Sequence, residues 1–345
     1  MADILMLPYL ELPYHKLLKH LLESDGNLTV TTSWRFPSRG IILDHPFKVI
    51  HIHMLDMLFL HQRTPLQSIT AFAWFLFVLR PLMYFRQIRL VWTCHELASH
   101  SLTGLKSFLN KLYTAVFVYV SDKIIVHSVS LEVEIKKNFP LVDLAKVTWI
   151  PHGSLASYYS GVIPVPISPL DESPFLNHTF GIIGYLRENK QILEVIRAFR
   201  ASNQASSRLL VIGVPTSSTY FTRLCSEASL DPRISVISRN LSDGEVVWLH
   251  HKLRALLFGP SLYPTSGSIE TALSLGSEVV ASKTGYLAEI LNQWPQAKLN
   301  LYTRVDELPA LLNRLSAQPF KINPGHHPHP FDFRLWLRYR QVYFV

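Results

Sequence analysis

The sequence predicts an α/β protein with a parallel sheet in each half of the chain. Three observations predict it. Short apolar runs of strand length alternate with stretches whose apolar residues recur at helical spacing. Strands that alternate with helices pair in parallel, and their sheet is covered on both faces. A proline-rich break at Pro164, Pro166, Pro169 and Pro174 interrupts this rhythm near the middle, which splits the chain into two similar halves.

Composition agrees. The chain has 345 residues, 48% hydrophobic and 17% charged, enough for two domains and too apolar for disorder. Its net charge of +8 suits an anionic partner such as a phosphorylated substrate, an anionic membrane surface or nucleic acid. Cys94 and Cys225 are the only cysteines and have no metal-ligand spacing, which points to a cytosolic chain with reduced thiols. The start, Met-Ala-Asp-Ile-Leu-Met-Leu-Pro, lacks the basic region of a signal peptide.

In chain order, the first half reads as strands at 4–7, 28–32, 49–53, 90–93, 123–126 and 147–150. Helices fall at 14–22, where Leu17, Leu18 and Leu21 share a face, and at 66–85, 105–119 and 130–138. Residues 154–178 form the break. The second half repeats the scheme with strands at 180–183, 209–212, 234–237, 255–258 and 278–282. Ile192, Val195, Ile196 and Phe199 mark one helix, and Ser242-Asp-Gly-Glu245 is a capping box before another. Helices also follow Gly267 and near 288–292, then a Pro/His loop at 321–330 and an aromatic, basic tail at 331–345 that reads as a helix docking back on the first half.

The longest apolar run, 71–85, is broken by Arg80 and Pro81 and falls short of the ~18 uninterrupted apolar residues of a membrane span. It reads as a buried helix. A membrane-surface helix is the alternative, because Arg80, Arg86 and Arg89 flank Trp74, Tyr84 and Phe85.

In open α/β sheets ligands bind beyond the carboxyl ends of the strands. Polar residues collect there: His51 and His53, His95 and Glu96, His127 and Ser128, His152, Arg187 and Lys190, Ser266 and Gly267. Four strand ends carrying histidine point to a shared cleft. His51 and His53 share a strand face, but no spacing supplies a third ligand, so no metal site is expected. Arg187 and Lys190 follow a strand and Gly184; such a pair can hold a diphosphate, or Glu188 can neutralise one of them. At Ser266-Gly267 a strand turns into a helix, whose free N–H groups and dipole favour a phosphate. No Gly-x-Gly-x-x-Gly follows the first strand, which argues against a dinucleotide-dependent dehydrogenase.

Several motifs in order carry a family resemblance: Leu12-Pro-Tyr14, Val49-Ile-His-Ile-His53, Trp92-Thr-Cys-His-Glu-Leu-Ala-Ser-His100, Val126-His-Ser128, Pro151-His-Gly153, Gly184-Tyr-Leu-Arg-Glu-Asn-Lys190, and Pro260 through Gly285-Tyr-Leu-Ala-Glu289. Together they resemble GT-B glycosyltransferases near family 4 and the bacterial exopolysaccharide β-mannosyltransferases of the xanthan type. The resemblance implies two Rossmann-like domains with parallel sheets facing a central cleft. Residues 1–160 would be the acceptor domain, 161–178 the linker, 179–325 the nucleotide-sugar donor domain, and 326–345 a helix packing back on the first domain. It implies donor binding by Gly184, Arg187, Lys190, Ser266, Gly267, Glu270 and His152. His95 and Glu96 would be catalytic, and Pro13, Tyr14, His15, His53 and His100 would contact the acceptor.

The sequence departs from this pattern in places. Family 4 enzymes carry two glutamates spaced by seven residues; aligned on Gly276, those positions are Tyr263 and Thr271, with Glu270 one place off. The glycine usual after the loop lysine is Gln191, and the acidic residue usual after the second histidine of the His95 segment is Ser101.

The reading is a metal-independent glycosyltransferase without a cofactor. It would take a GDP- or UDP-linked sugar, mannose or another hexose, to a lipid-linked oligosaccharide or glycan precursor in exopolysaccharide or cell-surface glycan synthesis. It would be cytoplasmic, held peripherally at the anionic inner face of the plasma membrane, with no nucleic-acid partner. Either His95 or Glu96 would deprotonate the acceptor, and an imidazole of ordinary pKa could do so without a large shift. The alternatives are a nucleotide-sugar epimerase of the same fold and a catalytically degenerate partner subunit.

Overall fold

The computed structural model describes residues 2–24, 26–36, 42, 44–99, 102–168, 170, 176–260, 265–320 and 329–345. The chain divides into two compact units, Met1–Gly153 with His329–Val345, and Ser154–Pro328.

The first unit holds strands β1 (Ala2–Leu7), β2 (Leu28–Thr32), β3 (Phe47–Ile52), β4 (Arg89–Cys94), β5 (Lys123–Val126) and β6 (Val147–Trp149). All pairings are parallel, in the order β2-β1-β3-β4-β5-β6. Both faces are covered, so β3 is buried at every position but Lys48. The helices are α1 (Pro13–Glu23), α2 (Leu55–Phe59), α3 (Pro65–Phe85), α4 (Gly104–Val120) and α5 (Val129–Asn138). Pro13 starts α1 because a missing N–H costs nothing in the first turn. A capping box of Thr64 and Gln67 starts α3. Aromatic packing joins α3 to α4: Phe72 stacks on Tyr113 at 3.9 Å and Phe75 on Phe117 at 5.1 Å.

The buried-helix expectation for this apolar run is corrected. Helix α3 is 21 residues long, by length and composition enough to cross a membrane, yet only 28% of its most apolar window is buried. Phe72, Phe75, Leu79 and Met83 face the core, while Leu66, Phe77, Tyr84 and Phe85 are exposed. Proline can occur inside it because Phe75–Leu79 widens into a π turn just before Pro81.

The second unit holds β7 (Thr179–Ile183), β8 (Arg208–Gly213), β9 (Ile234–Ser238), β10 (Ala255–Leu257), β11 (Val279–Ser282) and β12 (Leu299–Tyr302), again all parallel, in the order β12-β11-β10-β7-β8-β9. Its helices are α6 (Ala156–Tyr159), α7 (Ile192–Arg200), α8 (Ser218–Ala228), α9 (Asp243–Lys252), α10 (Gly267–Ser274), α11 (Gly285–Gln293) and α12 (Leu308–Ser316). The chain then returns to the first unit as α13 (Phe333–Phe344), whose Leu335, Trp336, Tyr339, Val342 and Tyr343 are buried. The sequence reading had no counterpart for α2, α8, β12 or α12.

Arg254, only 3% exposed, ties three elements of the second unit together. It donates to Glu278 Oε2 at 2.9 Å and twice to the Leu315 carbonyl, at 2.9 and 2.7 Å, in the last turn of α12. Removing one partner of such a group leaves the other desolvated and unpaired. Arg254→Leu should lower the unfolding free energy by about 3 kcal/mol or more in urea titrations. A loss below about 1 kcal/mol would put the bridge with exposed pairs that add little.

Candidate functional site

In the second unit the strand order reverses between β7 and β10. Loops leaving two such strands turn to opposite faces, and the crevice they leave is where α/β sheets bind ligands. The loop after β7 carries Arg187 and Lys190, and the chain after β10 leads to Ser266 and α10. Lys190, Phe258, Gly259, Ser266, Ser268 and Thr284 line one cavity there, of about 620 Å³ counting its open mouth. Lys190 and Ser266, distant in sequence, thus line the same cavity.

Backbone geometry explains how the loop sits. Gln191 has φ +50°, a left-handed conformation that glycine adopts most easily. Its side chain donates to the Pro260 carbonyl at 3.0 Å, which ties the loop to the end of β10. Gly259 passes so close that a Cβ there would lie 2.1 Å from the Lys190 carbonyl oxygen.

The charges are set by neighbours. Glu188 pairs with Arg223 at 2.7 Å, and neither Arg187 nor Lys190 has an ion pair among the described residues. Arg187 lies over the Tyr185 ring at 4.9 Å. It is not on the cavity wall, whereas Lys190 is. Burial, together with the Arg187 guanidinium, pushes the Lys190 pKa down to about 8.

Two helices begin at this cavity. Ser266 caps α10 by accepting from the Ile269 N–H at 3.4 Å, and Thr284 caps α11 by accepting from the Leu287 N–H at 3.2 Å. A Cβ on Gly267 would meet nothing within 4 Å, so the first turn of α10 is open to a ligand. Glu270 is buried in α10 and accepts a hydrogen bond from the Tyr286 hydroxyl. Tyr286 and Thr284, absent from the expected site residues, line the cavity. Gly184, at φ +102°, lies beside Lys190, with 3.8 Å between a Cβ there and Nζ.

In the first unit the order reverses between β1 and β3. His15, in the first turn of the helix that follows β1, and His53, at the end of β3, meet with ring centroids 4.5 Å apart. Tyr14 is the hub. Its ring lies 4.6 Å from His152, 5.4 Å from His127, 6.0 Å from His53 and 6.3 Å from His95. His152, expected to bind the donor, packs against Tyr14 and His127. Pro13 contributes by starting the helix that carries Tyr14 and His15. Glu96 follows His95, and its carbonyl accepts from the Cys94 thiol at 3.6 Å. His100, Ser101 and Tyr263 lie outside the described residues.

The hydrogen bonds fix two tautomers. The Leu10 N–H donates to His15 Nδ1 at 3.1 Å, which leaves a proton on His15 Nε2. His127 Nδ1 donates to the Ile150 carbonyl at 2.8 Å, which leaves a lone pair on Nε2. Among the described residues both Nε2 atoms are buried without a protein partner, as are His95 Nε2 and both ring nitrogens of His53. The cluster therefore offers donors and acceptors but little charge. Burial lowers the pKa of His15 to about 4, of His51 and His127 to about 3, and of His53 and His95 well below the ordinary value. The expectation that His95 titrates near its ordinary pKa is corrected by this desolvation. Helix α13 supplies residues that sequence reasoning missed. Tyr339 and Tyr14 share a 2.7 Å hydroxyl contact, and the Tyr343 hydroxyl bonds His51 Nδ1 at 2.7 Å while His51 Nε2 bonds Thr93 Oγ1 at 2.7 Å. Among the described residues no group of three or more His, Cys, Asp or Glu has metal-binding geometry.

No protein-family model and no curated sequence matches the chain. Solved structures do match its fold. Anabaena HepE in complex with UDP-glucose superposes with a TM-score of 0.66 at 14% identity, covering 99% of this chain and 98% of that one. Sucrose-phosphate synthase from Thermosynechococcus elongatus gives 0.65 at 14% identity, over 99% and 95%. The E. coli trehalose-6-phosphate protein bound with UDP-2-fluoro glucose gives 0.67 at 10% identity, over 100% and 99%. The fold is GT-B, with two six-stranded parallel sheets.

The neutral histidines should make the first unit acid-labile. Their pKa values are depressed in the fold, so their contribution is whole above 6.5 and is lost as pH falls from 6.5 toward 3–4. One unit below 6.5 each such histidine should cost about 1 kcal/mol. The thermal midpoint should fall steeply between pH 7 and 5.5, and His127→Gln should make that fall shallower. A midpoint unchanged over this range would contradict the buried neutral cluster.

Proposed function

We propose that the protein is a glycosyltransferase that takes its sugar from a nucleoside diphosphate sugar, with the diphosphate held in the second unit. One observation carries this reading: a lysine without an acidic partner among the described residues and the starts of two helices converge on one cavity at a strand-order reversal. Free amides and helix dipoles favour an anion there, and Lys190 adds a point charge. The same groups would stabilise the charge that develops on the departing diphosphate, the task a bound metal performs in other enzymes. UDP-glucose and UDP-2-fluoro glucose in the structures of like fold support a uridine donor. The reading needs no cofactor.

The acceptor side belongs to the first unit. An uncharged array of donors and acceptors around Tyr14 suits the hydroxyl groups of a sugar. His95 or Glu96 would be the base that deprotonates the acceptor, and the low pKa of the buried His95 makes it a weak base until a bound acceptor changes its surroundings. We assign the acceptor to lipid-linked or other glycan precursors of the cell surface. The exposed apolar residues of α3 and of α4, where Leu105, Phe108 and Leu112 lie beside Lys106 and Lys111, support a peripheral site on the anionic inner face of a membrane.

Calorimetric titration of UDP and GDP tests the donor reading. Lys190→Ala should weaken binding roughly ten- to a hundredfold, as for one charged hydrogen bond of about 1.5–3 kcal/mol. Gly267→Val should abolish binding and leave the thermal midpoint unchanged. Affinity should also fall as pH rises through 8, because an anion binds best to the protonated lysine. Unchanged affinity in both variants would place the diphosphate elsewhere.

Sedimentation with anionic vesicles tests the membrane assignment. Binding should be lost as salt rises, with about 1 kcal/mol contributed by each basic residue near the surface. No sedimentation at low salt would remove the membrane from the account.

A further inference from the structure

A second concave region lies in the first unit, with none of the Tyr14-cluster residues on its walls. Two cavities, of about 770 and 670 Å³ counting their open mouths, share Arg35, Leu58, Arg63 and Thr70 as wall residues. They are formed by the chain leaving β2, by α2 and by the first turns of α3. The first is the more polar, with His61, Gln62 and Gln67 on its wall; the second is the more apolar, with Phe36, Phe59 and Trp74.

The charge here is one-sided. Neither cavity has an aspartate or glutamate among the described residues of its wall. Among the described residues neither Arg35 nor Arg63 makes an ion pair. Two guanidinium groups in one hollow without a counter-charge repel each other until an anion binds between them, and their planar forks match the oxygens of a phosphate. Trp34 and Trp74, 39% and 38% exposed, stand on the two walls as aromatic platforms. From Trp74 the apolar surface continues along α3 through the exposed Phe77. Phosphate chemistry thus gives way to hydrocarbon chemistry along one surface.

We propose that this groove binds a phosphate or diphosphate group carried on an aliphatic tail, with Arg35 and Arg63 on the phosphate and Trp74 on the first carbons of the tail. The proposal rests on the acceptor half of the glycosyltransferase reading. There it makes the groove the seat of a lipid-phosphate acceptor, separate from the donor cavity.

Farnesyl diphosphate, inorganic pyrophosphate and farnesol are the probes, titrated into the full-length protein by calorimetry. Farnesyl diphosphate should bind at least tenfold more tightly than either of the others. Arg35→Ala and Arg63→Ala should each weaken it by tenfold or more, and Trp74→Ala by at least threefold. UDP affinity, measured on the same variants, should not change. The proposal is overturned if farnesyl diphosphate fails to bind at millimolar concentration, if pyrophosphate or farnesol binds as well, or if the double arginine variant binds like the parent protein. Loss of UDP binding in the parent protein would sink the donor reading alone, and farnesyl diphosphate binding would still decide the groove.

Discussion

Everything functional in this chain hangs on the reversal of strand order within each sheet. At that point the loops after two neighbouring strands part to opposite faces, and the helices that cover the sheet elsewhere leave a gap. In the second unit the gap lies between β7 and β10, and it is held to a fine tolerance. A Cβ at position 259 would press within 2.1 Å of the Lys190 carbonyl, so only glycine lets the lysine loop rest on the end of β10. Gln191 accepts a left-handed conformation in the same place and is secured there by the Pro260 carbonyl. Without these two local solutions Lys190 would not share a wall with the starts of α10 and α11.

The two reversals carry opposite chemistry. The second unit gathers positive potential from Lys190 and two helix starts, and its lysine resists its own charge because it is buried beside Arg187. Such a site gains most when an anion arrives. The first unit gathers histidines that burial keeps neutral, with tautomers fixed by the Leu10 amide and the Ile150 carbonyl. Polar groups of this kind discriminate by direction of hydrogen bonding, and they penalise a bound molecule that cannot complete them. Tyr343 and Tyr339 hold part of the array from α13, so the last turns of the chain support residues that lie near its beginning.

Much of this was legible in the sequence. Apolar runs located eleven of the strands with ends shifted by at most two residues, and helical spacing found α7 and the capping box found α9. The strand-end rule drew attention to His53, His95, His127, Lys190 and Ser266 before any geometry existed, and the family resemblance added His15. Other elements gave weak signals for physical reasons. Helix α8 buries only Tyr220, Leu224 and Ala228 among polar neighbours, and β12 is four residues long with Asn300 inside it. Contacts between distant residues leave no local pattern, which is why the bonds from Tyr343 to His51 and from Tyr286 to Glu270 were invisible. Periodicity also could not tell that Leu66, Phe77, Tyr84 and Phe85 of α3 are exposed, since an apolar face reads the same whether or not it is covered.

The central claim is that the donor diphosphate rests between Lys190 and the first turn of α10. A crystal structure of the protein with UDP bound tests it most directly. The account predicts diphosphate oxygens within hydrogen-bond reach of Lys190 Nζ and of the Gly267 and Ser268 amides. Diphosphate density at any other part of the second unit, or UDP bound only to the first, would contradict it.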